Sequence, residues 1–321
     1  MSDTIAQVNS IFQQPWWLDA VAAGNWDAAI VKNGDEVVAR LPFVVKKRLG
    51  LTLLTMPPLT QTLGPWIVTK PIKYTNRLGD EIHLCDALIE QLPRYDYFLQ
   101  QFSPTITNWL PFYWAGFSAS INYTYRLEEL GDLDRIWSGM RSNIRGKVRK
   151  AQTRVHIRDD LDIEIFFQVW AKTFSRQRMR VAYDFEQIQR LDYACSQHGA
   201  RHILFAEDAQ GRIHAVAYIV WDTETAYYLL SGGDPSLRDS GAQSLLLWEA
   251  IKFAAGKSKC FDFEGSMLAP VEEFFRAFGA QQVPYFGISN ASRRMRFVTG
   301  LHQMFTAVLG QPLIRAIDTT K

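Results

Sequence analysis

The C-terminal half of the sequence alternates helical and β-rich segments in an order that few folds accommodate. In chain order these segments are helices at residues 161–177 and 185–199, strands at 201–208, 212–222 and 225–233, a helix at 241–256, a strand at 259–265, a helix at 271–279 and a strand at 281–289. Short turns between the first three strands predict an antiparallel meander, and the helix after them predicts a crossover connection. The order therefore predicts a mixed α/β sheet flanked by helices.

The N-terminal half repeats this order in outline. A short helix begins at Pro15, two β-rich runs (26–32 and 37–46) flank a hairpin turn, and a helix rich in apolar residues ends at Pro93. Because 321 residues exceed what one hydrophobic core usually serves, two domains of similar size are expected. The predicted boundaries are 1–129 and 130–298, followed by a helical tail at 299–321.

Between the two halves, residues 133–153 predict one long amphipathic helix. Its apolar positions recur every three or four residues, and its other faces form the most basic stretch of the chain, with Arg135, Arg141, Arg145, Lys147, Arg149, Lys150 and Arg154. Two interpretations stay open for this charge, a solvated helix face or a surface that contacts phosphates.

Composition excludes several classes of protein. The 35 basic and 33 acidic side chains give a net charge of +2, which is too balanced for a bulk electrostatic nucleic-acid partner. Three cysteines without metal-ligand spacing indicate neither a metal site nor a disulfide framework. The sequence has neither the pattern of a secretory signal nor a run of 18 apolar residues, so we expect no membrane span and a cytoplasmic location.

The residues most informative about function lie between positions 225 and 265. A strand ends at Leu230, Ser231, Gly232 and Gly233, and a helix opens at Gly241 after a polar loop. A helix N-terminus next to such a loop offers backbone N–H groups to an anion, and glycine lets a phosphate approach the backbone closely. The same pattern also occurs in plain turns.

A family resemblance favours the first interpretation. The segments GGDPSLRDSGAQSLLLWEAIKFA, KCFDFEGSM and VEEFFRAFGAQQVPYFGIS, with IWSGMRSNIRGKVRKAQ upstream, resemble FemAB-like members of the GNAT superfamily, especially acetyltransferase-like proteins of polysaccharide biosynthesis. The resemblance covers about residues 130–290 and implies tandem GNAT-like domains, each a mostly antiparallel sheet flanked by helices. It implies transfer of an acyl group, with the donor pocket in the second domain.

In GNAT enzymes the donor pyrophosphate lies on a loop patterned Gln/Arg-x-x-Gly-x-Gly/Ala. Arg238 and Gly241 match its first two fixed positions, but Gln243 stands where a small residue is expected. The resemblance therefore implies a donor pocket lined by Leu230, Ser231, Gly232, Gly233, Arg238, Gly241, Ala242 and Gln243, with acyl-CoA, above all acetyl-CoA, as co-substrate and no metal.

The motif FDFEG supplies candidate proton acceptors. Strand alternation predicts Asp262 and Glu264 on one face at a strand end, where a carboxylate can take the proton of an attacking amine. Glu264 is the first candidate and Asp262 the second; the alternatives are a turn cap for Asp262 and an ion pair with an arginine for Glu264. Tyr285 is a candidate general acid toward the leaving thiolate, or else a core residue.

These observations predict an N-acyltransferase whose acceptor is an amine on a small molecule, a sugar nucleotide or a cell-envelope precursor. A second interpretation is an aminoacyl-tRNA-dependent transferase of peptidoglycan precursors, which the absence of a long charged helical insertion disfavours. A third is a GNAT-shaped binding protein without activity, which the departure at Gln243 favours. The sequence does not indicate an oligomeric state.

Overall fold

The computed structural model describes residues 10–68, 71–176, 181–265 and 267–297. The chain divides into two compact units. The first comprises Phe12–Asn122 and the described part of Tyr285–Lys321, and the second comprises Tyr123–Pro284 with residues 10 and 11. The predicted domain boundaries at residues 130 and 298 stay predictions, and the predicted tail at 299–321 lies outside the described residues.

The first unit contains a three-stranded antiparallel meander that continues through a helical crossover. Its helices are α1 (Pro15–Ala22), α2 (Tyr74–Glu90) and α3 (Leu110–Trp114), and its strands are β1 (Trp26–Asn33), β2 (Glu36–Arg48), β3 (Leu51–Thr55), β4 (Trp66–Ile67) and β5 (Tyr97–Gln101). β1 pairs with β2 and β2 with β3, all antiparallel, whereas β3 pairs with β5 in parallel across α2. Phe98, Phe102 and Phe112 are fully buried at the centre of this unit.

The second unit follows the same logic with more elements. Its helices are α4 (Leu133–Gly139), α5 (Ser142–Gln152), α6 (Ile163–Arg176), α7 (Phe185–Gln197), α8 (Ala242–Ala255) and α9 (Ala269–Arg276), and its strands are β7 (Val155–Arg158), β8 (Arg201–Asp208), β9 (Ile213–Trp221), β10 (Thr225–Gly233) and β11 (Cys260–Asp262). Strands β8 to β10 form an antiparallel meander, β7 pairs antiparallel with β8, and β11 pairs with β10 in parallel across α8.

Two further strands contribute residues to both units. β6 (Ser118–Leu127) pairs antiparallel with β11 through its second half, and β12 (Gln281–Ala291) pairs antiparallel with β5 through its second half. Each parallel crossover is thus bordered by an antiparallel strand from a distant part of the sequence.

The prediction of one helix over 133–153 is wrong. Met140 has extended backbone angles, and the segment divides into α4 and α5 at this residue. The break is explained by packing. The carbonyl of Gly139 lies so close to Gly279 that a Cβ on Gly279 would be 2.9 Å from the carbonyl oxygen. Arg145 then donates to the carbonyls of Ser138 and Met140 at the end of α4. One of the seven basic side chains therefore serves as a helix cap.

α8 is the central helix of the second unit. Nine of its residues are buried, because it packs on α5 and on the meander. A helix buried on most of its surface is held rigidly, so its first turn is a well-defined place next to the end of β10.

Candidate functional site

The parallel pair β10–β11 opens shortly after it forms. Within the described part of the chain, β10 pairs with β11 only through Thr225, Ala226 and Tyr227, although β10 continues to Gly233. A bulge in the β9–β10 pairing falls at Leu229, between Tyr228 and Leu230. Bulges bend a strand and increase its twist, so β10 turns away from β11 beyond this point. The result is an opening along the edge of β10 at Leu230 and Ser231.

The loop after β10 leads from this opening to the start of α8. Residues Arg238–Ser240 form a short 3-10 turn, and Gly241 has left-handed backbone angles as the N-cap of α8. The Ser240 hydroxyl accepts the N–H of Ala242, whereas the N–H groups of Gly241 and Gln243 have no acceptor among the described residues. Arg238 is exposed, with its nearest carboxylate, that of Asp239, 3.8 Å away. The loop therefore presents backbone donors without a described acceptor and the exposed guanidinium of Arg238.

The sequence-based reason for the glycines is wrong. A Cβ at Gly241 would lie 2.7 Å from the carbonyl oxygen of Lys147, and one at Gly232 would lie 2.6 Å from Oγ1 of Thr173. The space beside both glycines is filled by α5 and α6 rather than left open for a phosphate. These glycines allow helices to pack against the loop, and they shape the site only indirectly.

Gln243 turns its amide into the protein. Its Nε2 donates to the hydroxyl of Tyr228, a buried residue of β10. Burial raises the pKa of Tyr228 to about 12, with hydrogen bonds from Ser231 and Gln243 opposing the rise. Gln243 thus ties the first turn of α8 to β10, and its size does not by itself fill the opening.

Asp262 ends β11 and is engaged on both oxygens. Its Oδ1 accepts from the Thr124 hydroxyl and from the Glu264 N–H at 2.7 Å, and its Oδ2 lies 3.8 Å from Nε of Arg126. Burial raises the pKa of Asp262, and the hydrogen bond from Thr124 and the charge of Arg126 oppose that rise. The turn-capping interpretation of Asp262 therefore agrees with the geometry, and Arg126 pairs with Asp262 rather than with Glu264.

Glu264 lies outside the strand, which corrects the prediction that both carboxylates end β11 on one face. β11 stops at Asp262, and Glu264 has a φ of +59°, a rare conformation for a residue with a Cβ. Gly265 shares this conformation, since a Cβ there would overlap the carbonyl of Tyr123. Such backbone strain persists only where the surroundings enforce it, and it is concentrated at functional sites.

The carboxyl of Glu264 is in an unusual electrostatic setting. Its Oε1 is buried, and burial followed by the nearby charge of Asp262 raises the pKa of Glu264 well above its ordinary value. A carboxyl whose pKa moves toward neutrality suits proton transfer at physiological pH.

Two further residues, Tyr285 and His214, carry polar groups in buried positions. Tyr285 is buried on β12, at the point where this strand enters the first unit. His214, which the sequence gives no reason to single out, is buried beside Asp208 with its Nε2 2.9 Å from Oδ2. Five residues separate Asp208 and His214 in the sequence, across the β8–β9 turn, and the alternation of apolar residues in β9 identifies His214 only as a strand position.

Comparison with known proteins agrees with this geometry. A family model described as an acetyltransferase (GNAT) domain matches residues 138–276, which span α5 to α9 and the whole β10–α8–β11 crossover. The match covers less than half of the chain. The matched residues contain the opening, the loop and both carboxylates. No curated protein matches the sequence.

Solved structures extend the likeness of fold to most of the chain. A structure of FemX is 12% identical with a TM-score of 0.64 and covers 86% of this chain and 92% of its own. The C-terminal domain of a putative lysylphosphatidylglycerol synthetase from Agrobacterium fabrum is 13% identical, with a TM-score of 0.55 and coverages of 89% and 91%. L-PGS from Bacillus licheniformis is 11% identical, with a TM-score of 0.51 and coverages of 88% and 89%. At these identities the likeness shows the fold alone.

The fold class predicted from sequence, mixed α/β with mostly antiparallel sheets flanked by helices, is confirmed, and the predicted likeness to GNAT proteins is confirmed by the match over residues 138–276. Within the described ranges, no group of three or more His, Cys, Asp or Glu side chains is arranged to hold a metal ion. No helix in those same ranges is long and apolar enough to cross a bilayer.

Proposed function

We propose that this protein is an N-acyltransferase that moves an acyl group from acyl-CoA to an amine. The observation that carries the proposal is the opening of the β10–β11 pair directly beside the N-terminus of the rigid helix α8. The exposed backbone edge at Leu230 and Ser231 suits the amide-bearing arm of a CoA thioester, which would add to β10 as an extended segment.

The donor loop suits the other end of the same molecule. The free N–H groups of Gly241 and Gln243, with the Arg238 guanidinium, provide donors for a pyrophosphate at the positive end of the α8 dipole. The loop is compact because small residues, Gly232, Gly233 and Ala242, lie at both of its ends. Acetyl-CoA is the donor to test first, since the family model is that of an acetyltransferase.

In the proposed reaction the amine nitrogen attacks the thioester carbonyl, a C–N bond forms and the C–S bond breaks. Glu264 takes the proton that the amine loses, and the departing thiolate receives a proton from Tyr285. Because both oxygens of Asp262 are engaged with Thr124, Arg126 and the Glu264 backbone, we assign Asp262 the role of holding the Glu264 segment. The acceptor is an amine on a small molecule, a sugar nucleotide or a cell-envelope precursor, in the cytoplasm.

An aminoacyl-tRNA donor is the second candidate. It is favoured by the exposed basic side chains of Lys147, Arg149, Lys150 and Arg154 on and after α5, which offer a phosphate-binding surface. FemX and the lysylphosphatidylglycerol synthetase domain share the fold, which is compatible with this candidate. A binding protein without activity is the third.

The deciding experiment measures acetyl-CoA binding by calorimetry and CoA release with a panel of amines. Arg238→Gln should weaken acetyl-CoA binding roughly tenfold, since it removes a charge-assisted hydrogen bond. Arg190→Gln, which removes an exposed arginine on α7, is the matched control and should leave binding unchanged. Absence of acyl-CoA binding, together with turnover of aminoacyl-tRNA, would establish the second candidate instead; binding without turnover of either donor would favour the third.

A further inference from the structure

Strand β6 runs beside the turn that carries the two candidate carboxylates. It pairs antiparallel with β11, with Asp262 opposite Arg126. The pairing continues for one more hydrogen bond, in which the N–H of Phe263 donates to the carbonyl of Tyr125. Side chains on one face of a strand recur every second residue, so Thr124 lies on the same face of β6 as Arg126, and its hydroxyl reaches Asp262. The turn after β11 is therefore built against β6.

The Asp262 side chain closes this turn. Its Oδ1 accepts the Glu264 N–H at 2.7 Å, as in turns where an aspartate accepts the N–H two residues further on. The same oxygen accepts the hydroxyl of Thr124, a residue that is 2% exposed. The Thr124 hydroxyl thus sets where Oδ1 lies, and Oδ1 in turn holds the backbone of Glu264.

The contact of Asp262 with Arg126 is a weaker support. Nε of Arg126 is 3.8 Å from Oδ2, which is too long for a hydrogen bond, and it donates instead to Sγ of Cys260 at 2.9 Å. Threonine, by contrast, is β-branched and has few side-chain conformations, so a buried threonine is a rigid donor. The orientation of the Asp262 carboxylate therefore depends more on Thr124 than on Arg126.

The backbone held in this way is strained. Glu264 has a φ of +59°, and residues with a Cβ keep such angles only where their surroundings enforce them. On one side, Gly265 fits closely against the carbonyl of Tyr123 in β6. On the other side, Asp262 binds the Glu264 N–H. Loss of that hydrogen bond would let the turn relax, and the Glu264 carboxyl would move with it.

We propose that Thr124 is a positioning residue for the proposed base. Its hydroxyl orients Asp262, Asp262 holds the backbone of Glu264, and this backbone directs the Glu264 carboxyl toward the attacking amine. Thr124 neither gains nor loses a proton in the reaction. The inference rests on the proposed function, in which Glu264 accepts the proton of the amine.

Thr124 also affects the charge next to Glu264. Burial, and then the charge of Asp262, raises the pKa of Glu264. Burial raises the pKa of Asp262 as well, and the hydrogen bond from Thr124 opposes that rise. Without this hydrogen bond the pKa of Asp262 would rise further, its repulsion would weaken, and the pKa of Glu264 would fall. Other charged or titratable groups around Asp262 stay in place when Thr124 is replaced: Arg126 and Glu128 on β6, Cys260 on β11 and Tyr227 on β10.

The test compares Thr124→Val, which removes the hydroxyl at nearly constant volume, with Thr124→Ser, which keeps it. Thr124→Val should lower turnover roughly 10- to 100-fold at unchanged acetyl-CoA affinity, because the base is displaced, and Thr124→Ser should restore most of the rate. The acidic limb of the pH–rate profile should move to lower pH in Thr124→Val, since the base must be deprotonated. Thr60→Val, at a buried threonine of the first unit whose hydroxyl also forms hydrogen bonds, is the matched control.

A second measurement needs no acyl transfer. Hydrogen exchange of the Glu264 amide is followed by NMR in ¹⁵N-glutamate-labelled protein, with the signal assigned by its loss in Glu264→Gln. Exchange should be slow in the parent and roughly tenfold faster in Thr124→Val, as expected for one weakened hydrogen bond. It should be parent-like in Thr124→Ser and in Thr60→Val.

Rapid exchange of the Glu264 amide in the parent protein would overturn the proposal, as would parent-like exchange in Thr124→Val. If Thr124→Val does not fold, Thr124→Ala takes its place. Parent-like turnover in Glu264→Gln overturns the proposed base and this inference with it. Reduced turnover in Glu264→Gln with parent-like turnover in Thr124→Val overturns the inference alone.

Discussion

The two units contain the same crossover, and only one of them leaves it open. In the first unit β3 pairs in parallel with β5 across α2, and in the second β10 pairs in parallel with β11 across α8. Both pairings are brief. In the first unit, however, the segment after β3 folds back into the gap: Leu63 donates its N–H to the carbonyl of Gln101 and accepts from the N–H of Ser103.

That returning segment is packed as core. Leu59 and Leu63 are buried, and a Cβ at Gly64 would come within 2.8 Å of Phe102 and of Ile106. The corresponding loop of the second unit is short and polar, and it leads directly to α8. The same topology is therefore a closed core in one unit, whereas in the other the strand edge after the short parallel pairing is where we propose that a ligand binds, depending on the connection after the first strand.

The strand ends differ in chemistry as well. β5 ends in Gln100 and Gln101, and Gln100 is fully buried. Its Nε2 donates to the carbonyl of Pro42, and its Oε1 accepts from the N–H of Gly64, both in the same unit. β11 ends in Asp262 and is followed by Glu264, and burial raises the pKa of both carboxyl groups. Carboxyl groups with raised pKa values therefore lie beside the open crossover.

Glu264→Gln tests this chemical difference and should have the largest effect. Removing a general base should lower turnover by roughly 10²- to 10⁴-fold with acetyl-CoA affinity nearly unchanged. Steady-state rates and calorimetry measure the two quantities. Glu186→Gln, an exposed glutamate on α7, is the control, and parent-like turnover in folded Glu264→Gln would remove Glu264 from the mechanism.

The free energy of unfolding of Glu264→Gln should also differ from that of the parent in its dependence on pH. Since the pKa of Glu264 is raised in the native state, the native protein holds a proton that the unfolded chain has lost above pH 4.5. This proton stabilises the native state fully below pH 4.5, and the stabilisation is lost as pH rises through the native pKa. Between the unfolded and native pKa values, the free energy of unfolding falls by about 1.4 kcal/mol for each pH unit. Glutamine resembles the neutral acid, so Glu264→Gln should be more stable than the parent at pH 8 in urea unfolding, and equally stable at pH 4.

Leu63→Ala tests the closed crossover. Truncating a fully packed leucine should lower the free energy of unfolding by about 2–5 kcal/mol. Leu49→Ala, at a leucine that is 91% exposed, should change it little. Acetyl-CoA affinity should stay the same in both; if Leu63→Ala weakens donor binding without unfolding the protein, the assignment of the donor site to the second unit fails.

Gly241→Ala tests whether the loop of the open crossover is held by packing. The left-handed backbone adds about 1–2 kcal/mol and the overlap with Lys147 about 1–3 kcal/mol of destabilisation. Gly24→Ala, at a φ of +70° with open space around it, should show the backbone effect alone. Equal loss of stability in the two variants would mean that α5 does not constrain the loop.

Gln243→Ala should have the smallest effect. It removes one hydrogen bond to the buried Tyr228 hydroxyl, which is worth about 1 kcal/mol of stability. Because the amide points into the protein, acetyl-CoA affinity should change less than about threefold, or under roughly 0.7 kcal/mol. A tenfold increase in affinity would instead show that Gln243 obstructs the donor.

Periodicity in the sequence predicts much of the order of elements, although it misses α3 and β7 and merges α4 with α5. The hairpin at Gly34, the meander from β8 to β10 and the crossover through α8 follow from local patterns of apolar residues and turns, which act within a few residues. The residues of the donor loop could be named for the same reason, since strand, glycine and helix start are adjacent in the chain.

Long-range contacts account for the rest. The break at Met140, the end of β11 before Glu264 and the role of Gly241 depend on Gly279, Tyr123 and Lys147, which are distant in sequence. Nδ1 of His214 has no hydrogen-bond partner among the described residues, and this too depends on which groups surround it in the folded chain. Local propensity determines which elements form, but close packing and the pairing of buried polar groups act between segments that only the folded chain brings together.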